Sequence, residues 1–204
     1  MLKKLDEIVI EEELLDSVKA YNIPGGWDEK NNAVLTFKTT MKEKLYLNQN
    51  GKCAYCGLPL DTRNSEMDHI APKGGPKRPK HIECTFEPLN LVYACHNCNS
   101  PECKGQNDVV VSKHILGYRH WSFKIVHPYL DDPSEYFECN DDGAIILLPK
   151  KRTDEQHREK AIYTLDLFNL QSEQKLIEIA KQIAFERNPI SVQEIVLQIS
   201  TYRP

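Results

Sequence analysis

The sequence predicts an α+β protein, on three observations. Apolar residues recur at helical spacing toward both ends of the chain. The middle is rich in Cys, Gly, Pro, Asn and His and holds two CxxC pairs. An Asp-Gly turn signal at 142–143 separates two apolar runs. The chain has 204 residues, of which 40% are hydrophobic and 27% charged, enough for a real core. No run of about 18 apolar residues marks a membrane span. The first residues lack the apolar stretch and small-residue cleavage site of a secretory leader. The expectation is therefore a cytoplasmic chain with reduced thiols, and its seven cysteines, an odd number, argue against a disulfide framework.

In order along the chain, residues 2–20 read as a helix, with Leu2, Leu5, Val9, Leu14, Leu15 and Val18 inward. Pro24-Gly25-Gly26 ends it. Residues 38–49 read as a second helix with Met41, Leu45 and Leu47 inward, stopped at Asn50-Gly51. Residues 1–50 form an N-terminal helical segment on this reading, and 51–108 a loop-rich metal module. Residues 109–204 hold strands, a hairpin over 135–149 and a helical region. In that last region Thr153 with Gln156, Ser172, and Ser191 with Glu194 are the candidate caps. Net charge is −4, which by itself does not suggest a nucleic-acid binder. The charge is patterned, however: residues 6–16 carry six acids and residues 73–80 four bases.

Cys53-Ala-Tyr-Cys56 and Cys95-His-Asn-Cys98 are separated by 38 residues. Four thiolates suffice for a closed tetrahedral zinc site. A thioredoxin-like redox site needs one CxxC at a helix start, so two matched pairs fit zinc better; four buried free thiols are the bland alternative. His96 is poorly placed to replace its neighbour Cys95 as a ligand. Cys84, Cys103 and Cys139 read as neutral free thiols.

Between the clips the order is Asp68-His69-Ile70-Ala71-Pro72, then Asn90-Leu91, then Cys95, Cys98 and Asn99, then Lys104-Gly105. This order resembles the HNH nucleases over residues 51–105. The resemblance implies a ββα-metal core, with the zinc structural and the helices and small hairpin flanking it. It implies that His69 is the general base for water, that Asn90 braces the hairpin loop and orients His69, and that Asp68 and Asn99 hold a catalytic Mg²⁺ or Mn²⁺. The residue types suit these jobs. Imidazole titrates near neutrality, and carboxylate and amide oxygens suit a hard cation. Lys73, Lys77, Arg78, Lys80 and Lys104 are candidate phosphate contacts to DNA; the plain reading of the basic loop is a solvated surface. This chain departs from the family in having four residues, Ser100 to Cys103, between Asn99 and Lys104. More loosely, "EPLNLVYACHNCN", "HPYLDDPSEYFE" and "AIYTLDLFNL" resemble the HNH subunit of Septu-type antiphage systems. That implies a bacterial defence nuclease working with an ATPase partner protein. His127, Asp131 and Asp132 read either as turn chemistry or as additions to the cleft. The alternative for the whole chain is a zinc-stabilised nucleic-acid- or protein-binding module without catalysis.

Overall fold

The computed structural model describes residues 2–60, 64–139, 147–149 and 154–187, together with Glu194. Residues 2–11 are not helical; helix α1 spans only Glu12–Lys19. The β-branched run Ile8-Val9-Ile10 is a poor helix former, and the Leu5 N–H instead donates to the Pro128 carbonyl at 2.8 Å. Val9 is 80% exposed and Ile10 takes the buried place. The first helix predicted by periodicity is thus a helix only in its second half.

Helix α2, Asn32–Asn48, begins earlier than its apolar spacing suggests, because the Asn31 side chain accepts from the Val34 N–H and caps it. Val34, Phe37, Met41 and Leu45 form one fully buried stripe at three-to-four spacing. Leu47 falls off that stripe and is exposed, contrary to expectation. Asn50 and Gly51 both adopt positive φ and end the helix in a turn.

The central unit is an antiparallel pair. β1 (Ser65–His69) runs beside a strand at Leu91–Cys95, with Ser65 opposite Cys95 and His69 opposite Leu91. Two short strands intervene, β2 (Gly74–Gly75) and β3 (Arg78–Pro79), which makes the strand at Leu91–Cys95 β4. A Cβ at Gly74 would stand 2.2 Å from the Arg78 carbonyl oxygen, so glycine there serves the β2–β3 hairpin itself. Helix α3, His96–Asn99, follows β4 directly. β5 (Val110–Ser112) pairs with β6 (Ser122–Phe123). A one-turn helix α4 (Pro133–Tyr136) leads into β7 (Phe137–Cys139), which pairs with β8 (Leu147–Pro149); the Asp142-Gly143 turn lies outside the described residues. Helix α5, Glu155–Leu167, is capped by Asp154, whose carboxylate accepts from the His157 N–H; Thr153 lies outside the described residues. Ser172 Oγ accepts from the Lys175 N–H at the start of helix α6, Glu173–Arg187. Of the final helix predicted over 192–200, only Glu194 is among the described residues, and it is helical.

The fold class is therefore α+β, with helices around small two-stranded sheets. A single buried apolar cluster runs from Ile10 through Val34, Leu91 and Ile125 to Leu170, so the three segments read from sequence share one core. No helix among the described residues is long and apolar enough to cross a membrane.

His127 sits at the centre of this core, fully buried. Its Nδ1 accepts from the Tyr129 and Leu130 N–H groups, so the ring proton is on Nε2, which reaches the Tyr118 hydroxyl oxygen at 3.1 Å. Asp131 accepts from the His127 N–H and Asp132 from the Ser134 N–H, so these acids serve the turn. Burial holds the imidazole well below its usual pKa. The unfolded chain binds this proton below about pH 6.5 and the folded chain does not, so stability rises with pH through that range. In urea titrations the unfolding free energy is expected to fall as pH drops below about 6.5, by at most about 1.4 kcal/mol per pH unit for this one group. His127→Gln, though less stable at neutral pH, is expected to show a shallower acid slope; an unchanged slope would reject the assignment.

Candidate functional site

The four cysteine sulfurs all lie within 4.8 Å of one another, and Cys56 and Cys95 Sγ are 3.9 Å apart. Sulfurs at the corners of a zinc tetrahedron with about 2.3 Å bonds stand about 3.8 Å apart. The set therefore fits a closed zinc site, and the spacing is too long for disulfides. The first pair lies on a tight turn in which the Gly57 N–H donates to the Cys53 carbonyl. The second begins at the end of β4 and finishes in α3. The Cys95 N–H donates to Cys53 Sγ at 3.3 Å, joining the two halves. Cys84 is apart from this cluster, and burial pushes its thiol up to about 12, so it is neutral.

Asp68 and His69 are neighbours at the end of β1, and both face a cavity of about 770 Å³. Trp27, Lys73, Asn99 and Gly105 are among its other lining residues. The His69 Nε2 lies 3.0 Å from the Thr85 carbonyl. A carbonyl only accepts, so the proton is on Nε2 and the free acceptor is Nδ1. Burial lowers this imidazole to about 3, with further lowering by Lys73, Lys104 and Lys38, so it is neutral at physiological pH. Trp27 packs edge-on against the His69 ring at 4.5 Å between centroids, and the Lys38 ammonium lies 4.6 Å from the Trp27 ring centre. Sequence reading passed over both residues.

Asn90 is buried between the two strands. Its Oδ1 accepts from the Ala71 N–H and the Tyr118 hydroxyl, and its Nδ2 donates to the Ala71 and Cys84 carbonyls. Every hydrogen-bonding position of this amide on the hairpin side is thereby used. His69 itself is held by Thr85 rather than by Asn90, so any orienting effect of Asn90 is indirect.

Asp68 Oδ2 accepts from the Tyr55 hydroxyl at 2.5 Å and lies 3.2 Å from Lys104 Nζ; Oδ1 has a longer contact to the same ammonium, 3.4 Å. Burial raises the Asp68 carboxyl, and the Lys104 ammonium and Tyr55 hydroxyl oppose that rise. Lys104 is fully buried, and Nζ also donates to the His69 carbonyl at 2.7 Å. This corrects its placement among the surface phosphate contacts. The reason lies in the lengthened Ser100–Cys103 stretch: α3 stops at Asn99, and a turn led by Pro101 folds back. The Lys104 N–H then reaches the Cys98 carbonyl, aiming the side chain inward. The Asn99 amide nitrogen donates to Glu66 Oε2 at 2.9 Å, which leaves Asn99 Oδ1 as an oxygen donor. Asp68 Oδ1 and Asn99 Oδ1 are hard donors on one cavity, a set chemically suited to a divalent cation such as Mg²⁺ or Mn²⁺.

The basic loop is split by the structure. Lys73 lines the cavity and lies 3.8 Å from Asp28. Lys77, Arg78 and Lys80 are exposed on or beside the β2–β3 hairpin, and Lys80 Nζ donates to the Gln106 carbonyl. His81 turns inward to Asp108.

No protein-family model matches the chain. Part of it is 49% identical, over 85 residues, to the CRISPR-associated endonuclease Cas9 of Corynebacterium diphtheriae. That alignment takes in 36% of this chain and spans 7% of the length of the relative. Similarity to an endonuclease is thus local to one region.

Tyr55 is the signal that sequence reading missed most plainly, since it stands inside the first CxxC yet reaches Asp68. Replacing it by Phe removes the hydroxyl and leaves the buried carboxylate short of a donor, at a cost of about 1–3 kcal/mol. Thermal denaturation of the zinc-loaded Tyr55→Phe chain is expected to show that loss with zinc content unchanged.

Proposed function

We propose that this chain is an HNH-type endonuclease that hydrolyses phosphodiester bonds in DNA. The observation that carries the reading is the convergence of Asp68, His69 and Asn99 on one cavity, from adjacent positions of β1 and the end of α3. Local similarity to an endonuclease supports it. Asp68 and Asn99 would hold the Mg²⁺ or Mn²⁺, which when bound supplies positive charge to the phosphate and leaving oxygen. The neutral His69 takes the proton of the attacking water on Nδ1, with its ring fixed by Thr85 on one edge and Trp27 beside it. Lys104 and Tyr55 hold the Asp68 carboxylate in place. Asn90 keeps the loop after β1 against β4. Lys73 is the phosphate contact nearest the base, with Lys77, Arg78 and Lys80 further along the strand of DNA.

The broader role proposed is the nuclease effector of a bacterial antiphage defence system, acting beside an ATPase partner. Its support is the extended sequence resemblance, which includes "HPYLDDPSEYFE" (127–138) and "AIYTLDLFNL" (161–170). The rival reading, a zinc-stabilised binding module, draws on one observation: Asp68 Oδ2 is already bonded to Tyr55 and close to Lys104. It predicts binding without cutting.

Plasmid cleavage with Mg²⁺ or Mn²⁺, with and without the protein encoded by the neighbouring gene, decides between them. His69→Ala is expected to lose at least about 100-fold in cutting rate, the usual contribution of a general base, while keeping its zinc and its fold. Undiminished cutting by that variant rejects His69 as base. Binding with no cutting by the unaltered chain, partner present, favours the module.

A further inference from the structure

A divalent ion held by four thiolates carries a net charge of −2, and here it would lie largely out of water. Such a charge needs donors from its surroundings. One is the Cys95 N–H on Cys53 Sγ. A second comes from far along the chain. Lys175, in the first turn of α6, places Nζ 3.3 Å from Cys98 Sγ across 77 residues of sequence. Lys175 is 7% exposed and Cys98 is 0% exposed. An ammonium is seldom buried unless it meets an opposite charge, and the group that Lys175 Nζ reaches is the Cys98 sulfur of the cluster. The neighbouring helix grips the other clip. Phe168, just past α5, stacks on Tyr55 at 4.3 Å and 15° between ring planes, and Tyr55 sits between Cys53 and Cys56. The helical pair thus touches each half of the sulfur cluster, with a ring on one and a cation on the other.

We infer that Lys175 is the charge-neutralising donor of the zinc site, and that seating of α6 and metal binding are linked. By reciprocity, whatever factor the seated helix adds to zinc affinity, bound zinc adds to the seating of the helix. This inference does not depend on the chain cutting DNA. It rests on the four-cysteine metal site alone.

The test uses the full chain purified with zinc. Lys175→Met keeps the length of the stem and removes the charge; Lys175→Arg keeps the charge. Zinc affinity is read by competition with a chromophoric chelator. Lys175→Met is expected to bind zinc about 10–100-fold more weakly, the usual effect of losing an outer partner of a metal ligand. Lys175→Arg is expected to recover most of that loss. A lysine that only fills space predicts equal affinity in all three chains, and that result overturns the inference. A measurement on the unaltered chain covers the case in which the methionine variant does not fold. With cadmium in place of zinc, the Lys175 ammonium protons are expected to exchange slowly in nitrogen-resolved NMR. Fast exchange with the metal bound would reject the contact.

Discussion

The sulfur cluster ties residues 53–56 to residues 95–98, and much of the candidate site is placed by that tie. The first clip carries Tyr55 to Asp68; the second starts α3 and so sets Asn99. A metal held by these four sulfurs would do for a loop-rich segment what a large apolar core does elsewhere. Residues 51–108 are well supplied with turns and poor in long elements, so little else would fix a four-residue helix in direction. The Gln49 side chain adds to the tie: it accepts from the Tyr93 N–H and donates to the Tyr93 carbonyl, acting as a short extra neighbour to β4.

At the other end of the β1–β4 pair the fastening is polar and buried. His127, Tyr118 and Asn90 form one chain of hydrogen bonds in which each donor has an acceptor: His127 Nε2–H to the Tyr118 oxygen, Tyr118 O–H to Asn90 Oδ1. Tyr129 adds a bond to the Leu91 carbonyl. Satisfied networks of this kind favour one arrangement over its competitors, because a partial arrangement strands polar groups out of water. The hairpin is thus held by sulfur at one end and by this network at the other. The cavity lies along the Asp68–His69 end of β1, where the second fastening governs.

Much of the site was legible in the sequence because its parts are local motifs. Asp68-His69, Asn90 and the CxxC pairs are short patterns whose chemistry requires particular residue types at fixed spacing. α2 was legible for a different reason, its unbroken apolar stripe, although its cap at Asn31 was missed. What sequence did not disclose was contact between distant residues. Trp27 against His69, Lys38 over Trp27, Phe168 on Tyr55 and Lys175 on Cys98 leave no trace in local spacing. Lys104 was visible as a residue but misplaced, since only the turn made by the lengthened Ser100–Cys103 stretch shows that it points inward. The N-terminal segment failed because the spacing of Leu2, Leu5 and Val9 was read without the β-branched run Ile8-Val9-Ile10, a poor helix former. There, a backbone bond to Pro128 outweighs the helix.

The distance in sequence between Cys98 and Lys175 has a meaning in time. A ribosome adds about 5–20 residues per second, so the 77 residues separating them take roughly 4–15 s to make. All four cysteines have left the synthesis site well before the lysine follows. The nascent chain therefore has a period in which its thiolates lack this lysine, when an ion can reach them from the side that α6 later covers. The helix then arrives after the four cysteines, closing over a centre that vectorial synthesis has already given the chance to fill.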